Sequence, residues 1–278
     1  ILRFWLDMGV DGFREDVITF ISKKEGLPDD YIMPASKGIG YYNHGPHLHE
    51  YLEEFHRDVF SKYDCMVLAE APMITPKKAL EYIDEHNKPV LDMMIQFATQ
   101  EADCLFMDFN HIPFNLRKLK RAYSGWQRGL EGRGWNMLYI ENHDHPRIIS
   151  RYGSEKFWKE SGKMLAVSYL FQKGTPFIYQ GQEFGTALPN YDSIEDFDDI
   201  EGINKYHEDL PIYGEKRAME RINFGSRDGF RRPMCWNSGE NGGFTTGKPW
   251  MPVNPNYTEI NAEAALADPE VIKAYIGG

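Results

Sequence analysis

The sequence predicts an α/β fold on a parallel sheet, read as a (β/α)8 TIM barrel that is incomplete in this chain. Three observations carry that reading. Short continuous apolar runs alternate with longer segments of helical period, the pattern of strands buried on both faces and separated by helices. Chemical groups follow four of those runs: Gly-Phe-Arg-Glu-Asp, Glu-Ala, Glu-Asn-His-Asp and Gly-Gln-Glu lie just past the strand ends, the edge where parallel α/β sheets bind ligands. Finally, about five strand–helix units are visible, whereas a closed barrel takes eight in roughly 250 residues. The N-terminal strands are the ones expected to be missing. Ile1, in place of Met, starts inside a patterned segment, as in a piece of something longer.

Along the chain, residues 10–14 read as the end of a strand and 65–69 (CMVLA) as a buried one. Residues 93–97 (MMIQF), 137–140 (MLYI) and 176–180 (PFIYQ) give three more. Between them, 48–63 carries apolar side chains at 48, 52, 55, 59 and 60, the spacing of one helix face. Residues 115–130 form a basic amphipathic helix, and 156–172 brings MLAVSYLF toward a core. Beyond Gly181 the chain is expected to be loop-rich. Residues 192–201 (DSIEDFDDIE) are strongly acidic, and Pro, Gly and Asn are frequent over 232–255. The domain reading is one barrel domain over 1–278, lacking its N-terminal strands, with a loop-rich insertion over 182–255 after the last strand.

Composition narrows the partners. Among 278 residues, 31 Lys and Arg face 42 Asp and Glu, a formal charge of −11. That surface repels a phosphate backbone, so nucleic acid and anionic membranes are excluded as partners. An apolar fraction of 42% supports a sizeable core and excludes disorder. Aromatics reach 14%, including 6 Trp and 16 Tyr, a supply that suits clefts for sugar rings, although most such residues are core. The three cysteines, Cys65, Cys104 and Cys235, are odd in number and widely spaced. They fit free thiols in a reducing cytoplasm better than a disulfide framework. No apolar run approaches the roughly 18 residues of a membrane span, and no charged leader precedes an apolar stretch.

Asp16 follows Arg14 by two positions at a strand end, which puts both side chains on one side of the pleat. A neighbouring guanidinium favours an ionised carboxylate, the form a nucleophile needs. Taken alone, the pair reads as an ordinary rim ion pair sooner than as a nucleophile and its partner. Glu70 follows CMVLA, where partial desolvation favours a retained proton and general-acid behaviour. Alone, it could equally close the strand end by a hydrogen bond. The third piece, Glu141-Asn142-His143-Asp144-His145-Pro146-Arg147, delivers two His, two acids and an Arg from one strand end. Metal ligation competes there, but adjacent ligands converge poorly on one ion and no HExxH or HxxxH spacing occurs. No metal and no cofactor are expected. The histidines at 44, 47, 49, 56 and 111 read as solvated or structural. A GxSxG elbow, a GxxxxGK[ST] loop and a GxGxxG turn after a strand are all lacking.

Three acids on one rim define a reaction class. Retaining glycoside hydrolysis needs a carboxylate nucleophile and a carboxylic acid proton donor roughly 5 Å apart, and a further anion stabilises the oxocarbenium-like charge.

With these residues in view, the sequence resembles glycoside hydrolase family 13, the α-amylase family, and within it the oligo-1,6-glucosidase and α-glucosidase group. The likeness covers essentially the whole chain. RFWLDMGVDGFREDVITFISK resembles the nucleophile strand and implies Asp16 as nucleophile with Arg14 as its partner. YDCMVLAEAP resembles the acid/base strand and implies Glu70. ENHDHPR resembles the stabiliser region and implies Asp144, with His143 on a sugar hydroxyl and Arg147 holding the same ring from its other side. GTPFIYQGQEFG, SRDGFRRPMCWN and PWMPVNPNY resemble the oligo-1,6 group. Val17, directly after the nucleophile, resembles the α-1,6-preferring members, in which its side chain would narrow the aglycone pocket.

By this likeness the chain corresponds to the barrel from about strand 4 to strand 8. The family's first three strands, its Asp…Asn-His motif, its calcium loop and its C-terminal β-sandwich lie outside it, and Ala71 and His145 stand where other residues are usual. The resemblance implies a retaining α-glucosidase that hydrolyses short α-1,6-linked, isomaltose-type glucosides from the non-reducing end. Trehalose-6-phosphate hydrolase, an α-1,4-preferring α-glucosidase, a non-catalytic sugar-binding or assembly relative, and an inactive fragment remain as alternatives. The expected partner is a small α-linked oligosaccharide, and the oligomeric state is open.

Overall fold

The computed structural model describes residues 1–26, 28–29, 38–105 and 107–270. The chain divides into two compact units, one of residues 1–99, 117–137 and 173–175 and the other of residues 100–116, 138–172 and 176–278.

The first unit is built on a parallel sheet of order β1 (Gly12–Glu15), β2 (Met66–Glu70) and β3 (Met93–Ile95). Its helices are α1 (Leu2–Asp7), α2 (Ile39–Tyr42), α3 (Leu48–Asp58), α4 (Pro76–Ile83) and α5 (Leu116–Gly129). The expected strands at 10–14 and 65–69 are present, each shifted by a residue or two toward its C-terminal end. Glu15 pairs with Ala69, so Asp16 and Glu70 emerge side by side at the same end of the sheet. Gly12 permits that pairing: its φ is +156°, and a Cβ there would lie 1.9 Å from the Met66 carbonyl oxygen.

Helix α3 buries Leu48 and Leu52 one turn apart, with Phe55 and Val59 packed along the same stripe. Helix α4 starts on Thr75, whose hydroxyl accepts from the Lys78 N–H, and places Pro76 in its first turn. Trp126 in the last turn of α5 and Leu130 just past its end join Val67, Ala69, Leu80 and Ile83 in the core.

The second unit opens on an antiparallel pair, β4 (Cys104–Leu105) with β5 (Met107–His111). It continues through α6 (Ile148–Tyr152), α7 (Trp158–Leu170), α8 (Ile200–Tyr213), α9 (Glu215–Gly225), α10 (Arg227–Phe230) and α11 (Ala262–Leu266). The stretch expected to be loop-rich therefore contains two substantial helices. Gly214, with φ +76°, turns the chain between α8 and α9, and Tyr206, Ala218 and Ile222 bury their inner faces with Phe109 and Phe197. Buried Asp209 of α8 pairs with Lys205, one turn earlier in the same helix, at 3.1 Å and with Arg221 of α9 at 2.5 Å.

Two short strands, β6 (Met137–Leu138) and β7 (Thr175–Pro176), form a two-stranded sheet of their own. They are shorter than the runs at 137–140 and 176–180 that predicted them. Beyond Leu138 the Ile140 carbonyl accepts from the Gln100 amide at 3.0 Å. Among the described residues the strands thus fall into three sheets. No helix among them is long and apolar enough to cross a membrane.

Candidate active site

In the first unit, strand β1 delivers Arg14 and, one residue past its end, Asp16. One guanidinium serves two acids: Arg14 Nη1 donates to Asp16 Oδ1, and its Nη2 lies 2.8 Å from Glu70 Oε1. The two carboxyls differ in setting, the Asp16 side chain being 74% exposed and that of Glu70 only 9%. Glu70 Oε2 accepts the Val17 N–H at 3.0 Å. Burial pushes the Glu70 carboxyl above the usual range. The Val17 N–H and Arg14 pull it back, while the charge of Asp16 and a hydrogen bond that the protonated Glu70 carboxyl donates to it push it up again. Arg14, Asp16 and Glu70 are thus brought together, as their places at the strand ends lead one to expect, and Val17 joins them through its N–H.

Val17 takes a backbone conformation the sequence does not announce, φ 35° and ψ 41°, a left-handed turn in which a β-branched residue is a genuine outlier. Nearby, His44 is structural: its Nδ1 lies 3.0 Å from the Tyr82 hydroxyl and its ring stacks on that of Tyr82. Burial lowers its pKa to about 4.

In the second unit, the segment after β6 turns on Asn142, whose side-chain oxygen accepts the Asp144 N–H at 2.8 Å. Asp144 is ringed by donors. His143 Nε2 lies 3.0 Å from Oδ2, while Arg227 Nε and Arg231 Nη2 reach Oδ1 at 2.9 and 2.6 Å. Burial pushes this carboxyl up, but the hydrogen bonds from His143, Arg227 and Arg231 win and hold it well below the usual carboxylate range. Sequence reasoning assigned no role to Arg227 and Arg231. Their signal was available in SRDGFRRP: two arginines four residues apart share one helix face.

Arg147 departs from its expected role on the sugar. The residue is 2% exposed. Its Nη1 donates to Glu141 at 2.9 Å and to the Gln180 carbonyl at 2.7 Å, and its Nη2 donates to the Phe230 carbonyl at 3.0 Å. Glu141 also accepts the Ile148 N–H at 2.7 Å. Arg147 therefore fastens the framework behind the Asp144 turn and is not available as a sugar ligand. Among the described residues no three His, Cys, Asp or Glu side chains converge as a metal site.

The family described as alpha amylase, catalytic domain, matches residues 1–276. The oligo-1,6-glucosidase of Parageobacillus thermoglucosidasius is 46% identical over 282 residues, which are 99% of this chain and 50% of that protein. Among solved structures, the trehalose-6-phosphate hydrolase of Bacillus licheniformis superposes with a TM-score of 0.88 at 42% identity, over 96% of this chain and 48% of that one. The trehalulose synthase of Pseudomonas mesoacidophila MX-45 also gives 0.88, at 36% identity, over 98% of this chain and 50% of that one. The chain spans about half the length of the curated relatives it matches.

Proposed function

The chain belongs to the alpha-amylase family, through its catalytic domain, and on that premise we propose that it is the acid-bearing part of a retaining α-glucosidase. Its substrates are short α-1,6-linked, isomaltose-type glucosides, cleaved from the non-reducing end. The observation that carries this reading is the span of Arg14 across an exposed Asp16 and a buried Glu70. Glu70, whose burial favours a retained proton, protonates the glycosidic oxygen while Asp16 attacks the anomeric carbon. The glucosyl–Asp16 ester then yields to a water from which Glu70 takes a proton, and glucose leaves with its configuration retained. Asp144, kept ionised by its donors, accepts ring hydroxyls and stabilises the oxocarbenium-like charge, with His143 on a neighbouring hydroxyl. The Val17 side chain beside the nucleophile narrows the aglycone pocket and favours the α-1,6 linkage.

The same reading takes the chain as about strands 4 to 8 of a (β/α)8 barrel, one domain over 1–278 with an insertion over 182–255. The parallel order β1, β2, β3 with helices between them supports it. Cytoplasmic localisation belongs to the reading and is supported by three free thiols. A trehalose-6-phosphate hydrolase is the second reading. It draws on Arg227 and Arg231, whose side chains are 38% and 41% exposed, since guanidinium groups take phosphate as readily as carboxylate.

The test is glucose release from isomaltose, maltose and trehalose 6-phosphate by the full-length protein, with Asp16→Asn as control. Isomaltose is expected to react fastest, and Asp16→Asn to lower the rate about 10⁴-fold or more. A maltose preference sinks the linkage assignment, a trehalose 6-phosphate preference favours the second reading, and an active Asp16→Asn removes the nucleophile.

A further inference from the structure

Resting on the α-glucosidase reading, we propose that Val17 is a positioning residue for Glu70, acting through its backbone N–H and not only through the bulk of its side chain. Val17 directly follows Asp16 with φ 35° and ψ 41°. A β-branched residue persists in that region only where its surroundings over-determine it, and such strain gathers at functional sites. Here the left-handed turn ends the β1 extension and aims the peptide N–H at a side chain on β2: it donates to Glu70 Oε2 at 3.0 Å. Arg14 Nη2 meanwhile holds Oε1 at 2.8 Å. Both oxygens of the carboxyl are therefore fixed by one four-residue stretch, 14–17, that also contains Asp16, so nucleophile and acid/base are oriented by the same turn.

The N–H also governs the proton. A donor to a carboxylate favours the ionised form, so this amide opposes the upward push of burial and of Asp16 on Glu70. It limits the pH up to which the acid stays protonated. Glycine would make the same turn without strain, which separates what the Val17 side chain does from what its amide does.

Two variants of the full-length protein divide these roles. Replacing Val17 by α-hydroxyisovaleric acid keeps the side chain and turns the amide into an ester, deleting only the N–H. Val17→Gly keeps the N–H and deletes the side chain. The readouts are the alkaline limb of kcat/KM against pH on isomaltose and an isotope-edited infrared titration of the Glu70 carboxyl, with Glu70→Gln as blank. The ester is expected to move both upward by about one pH unit, the scale of one hydrogen bond to a charged group, and Val17→Gly to leave both in place. An ester that moves neither, or a Val17→Gly that moves them equally far, overturns the proposal. In the unmodified protein the Val17 amide proton resonance should titrate with Glu70 and lose that step in Glu70→Gln; a flat resonance also overturns it. The infrared and resonance titrations need no turnover, so a protein without glucosidase activity refutes the functional reading while these still decide the role of Val17.

Discussion

Glu15 lies between Arg14 and Asp16 and faces the other way. It is buried, its Oε2 has no hydrogen-bond partner, and burial pushes its pKa from 4.5 up to about 7. A carboxyl whose folded pKa is raised supports the fold fully below its unfolded value, and that support is lost as pH rises through the folded value. The window is therefore pH 4.5 to about 7, and the loss across it is about 3 kcal/mol. Denaturant unfolding should show Glu15→Gln more stable than the parent at pH 8 by a margin that vanishes near pH 4. A margin independent of pH would mean that Glu15 is not held as an acid. The candidate site was legible at this scale where chemistry sits at strand ends, as with Arg14, Asp16 and Glu70. For Arg227 and Arg231 the spacing showed a shared face but not its target, because Asp144 lies 83 residues from Arg227 along the chain. Arg147 misled for the converse reason: sequence shows a guanidinium but not the carbonyls that will surround it.

The elements are set by close approaches as much as by propensity. Gly9 and Gly12 both take positive φ, but a Cβ at Gly9 meets nothing within 4 Å, whereas one at Gly12 meets the Met66 carbonyl. Gly9→Ala should cost only the backbone term, about 1–2 kcal/mol. Gly12→Ala should cost clearly more and loosen the pairing of β1 with β2, seen as faster hydrogen exchange at Met66–Glu70. Equal losses would show that the approach to Met66 is not what Gly12 serves. Strands such as β2 were readable because an apolar run bounded by polar residues has few other fates. Helices α8 and α9 were hidden, since buried Asp209 of α8 meets Arg221 of α9 only once the two helices pack.

For the whole molecule, the two clusters of buried apolar residues share no member. Leu52→Ala in one and Ile222→Ala in the other should each cost about 2–5 kcal/mol. Measured together by denaturant unfolding, they should add to within about 0.5 kcal/mol; strong coupling would contradict separate cores. The units are nonetheless interleaved along the chain, which passes from one to the other at five points between residues 99 and 176. A ribosome therefore cannot release the first unit when residue 99 emerges. Its Trp126 has not yet been made, nor has Thr175, whose N–H bonds to the Asn136 carbonyl and whose hydroxyl accepts from Trp135. At roughly 5–20 residues per second the wait lasts about 4 to 15 s. During that time Asp16 and Glu70 are already synthesised, while the sheet edge that will carry them still lacks part of the core behind it.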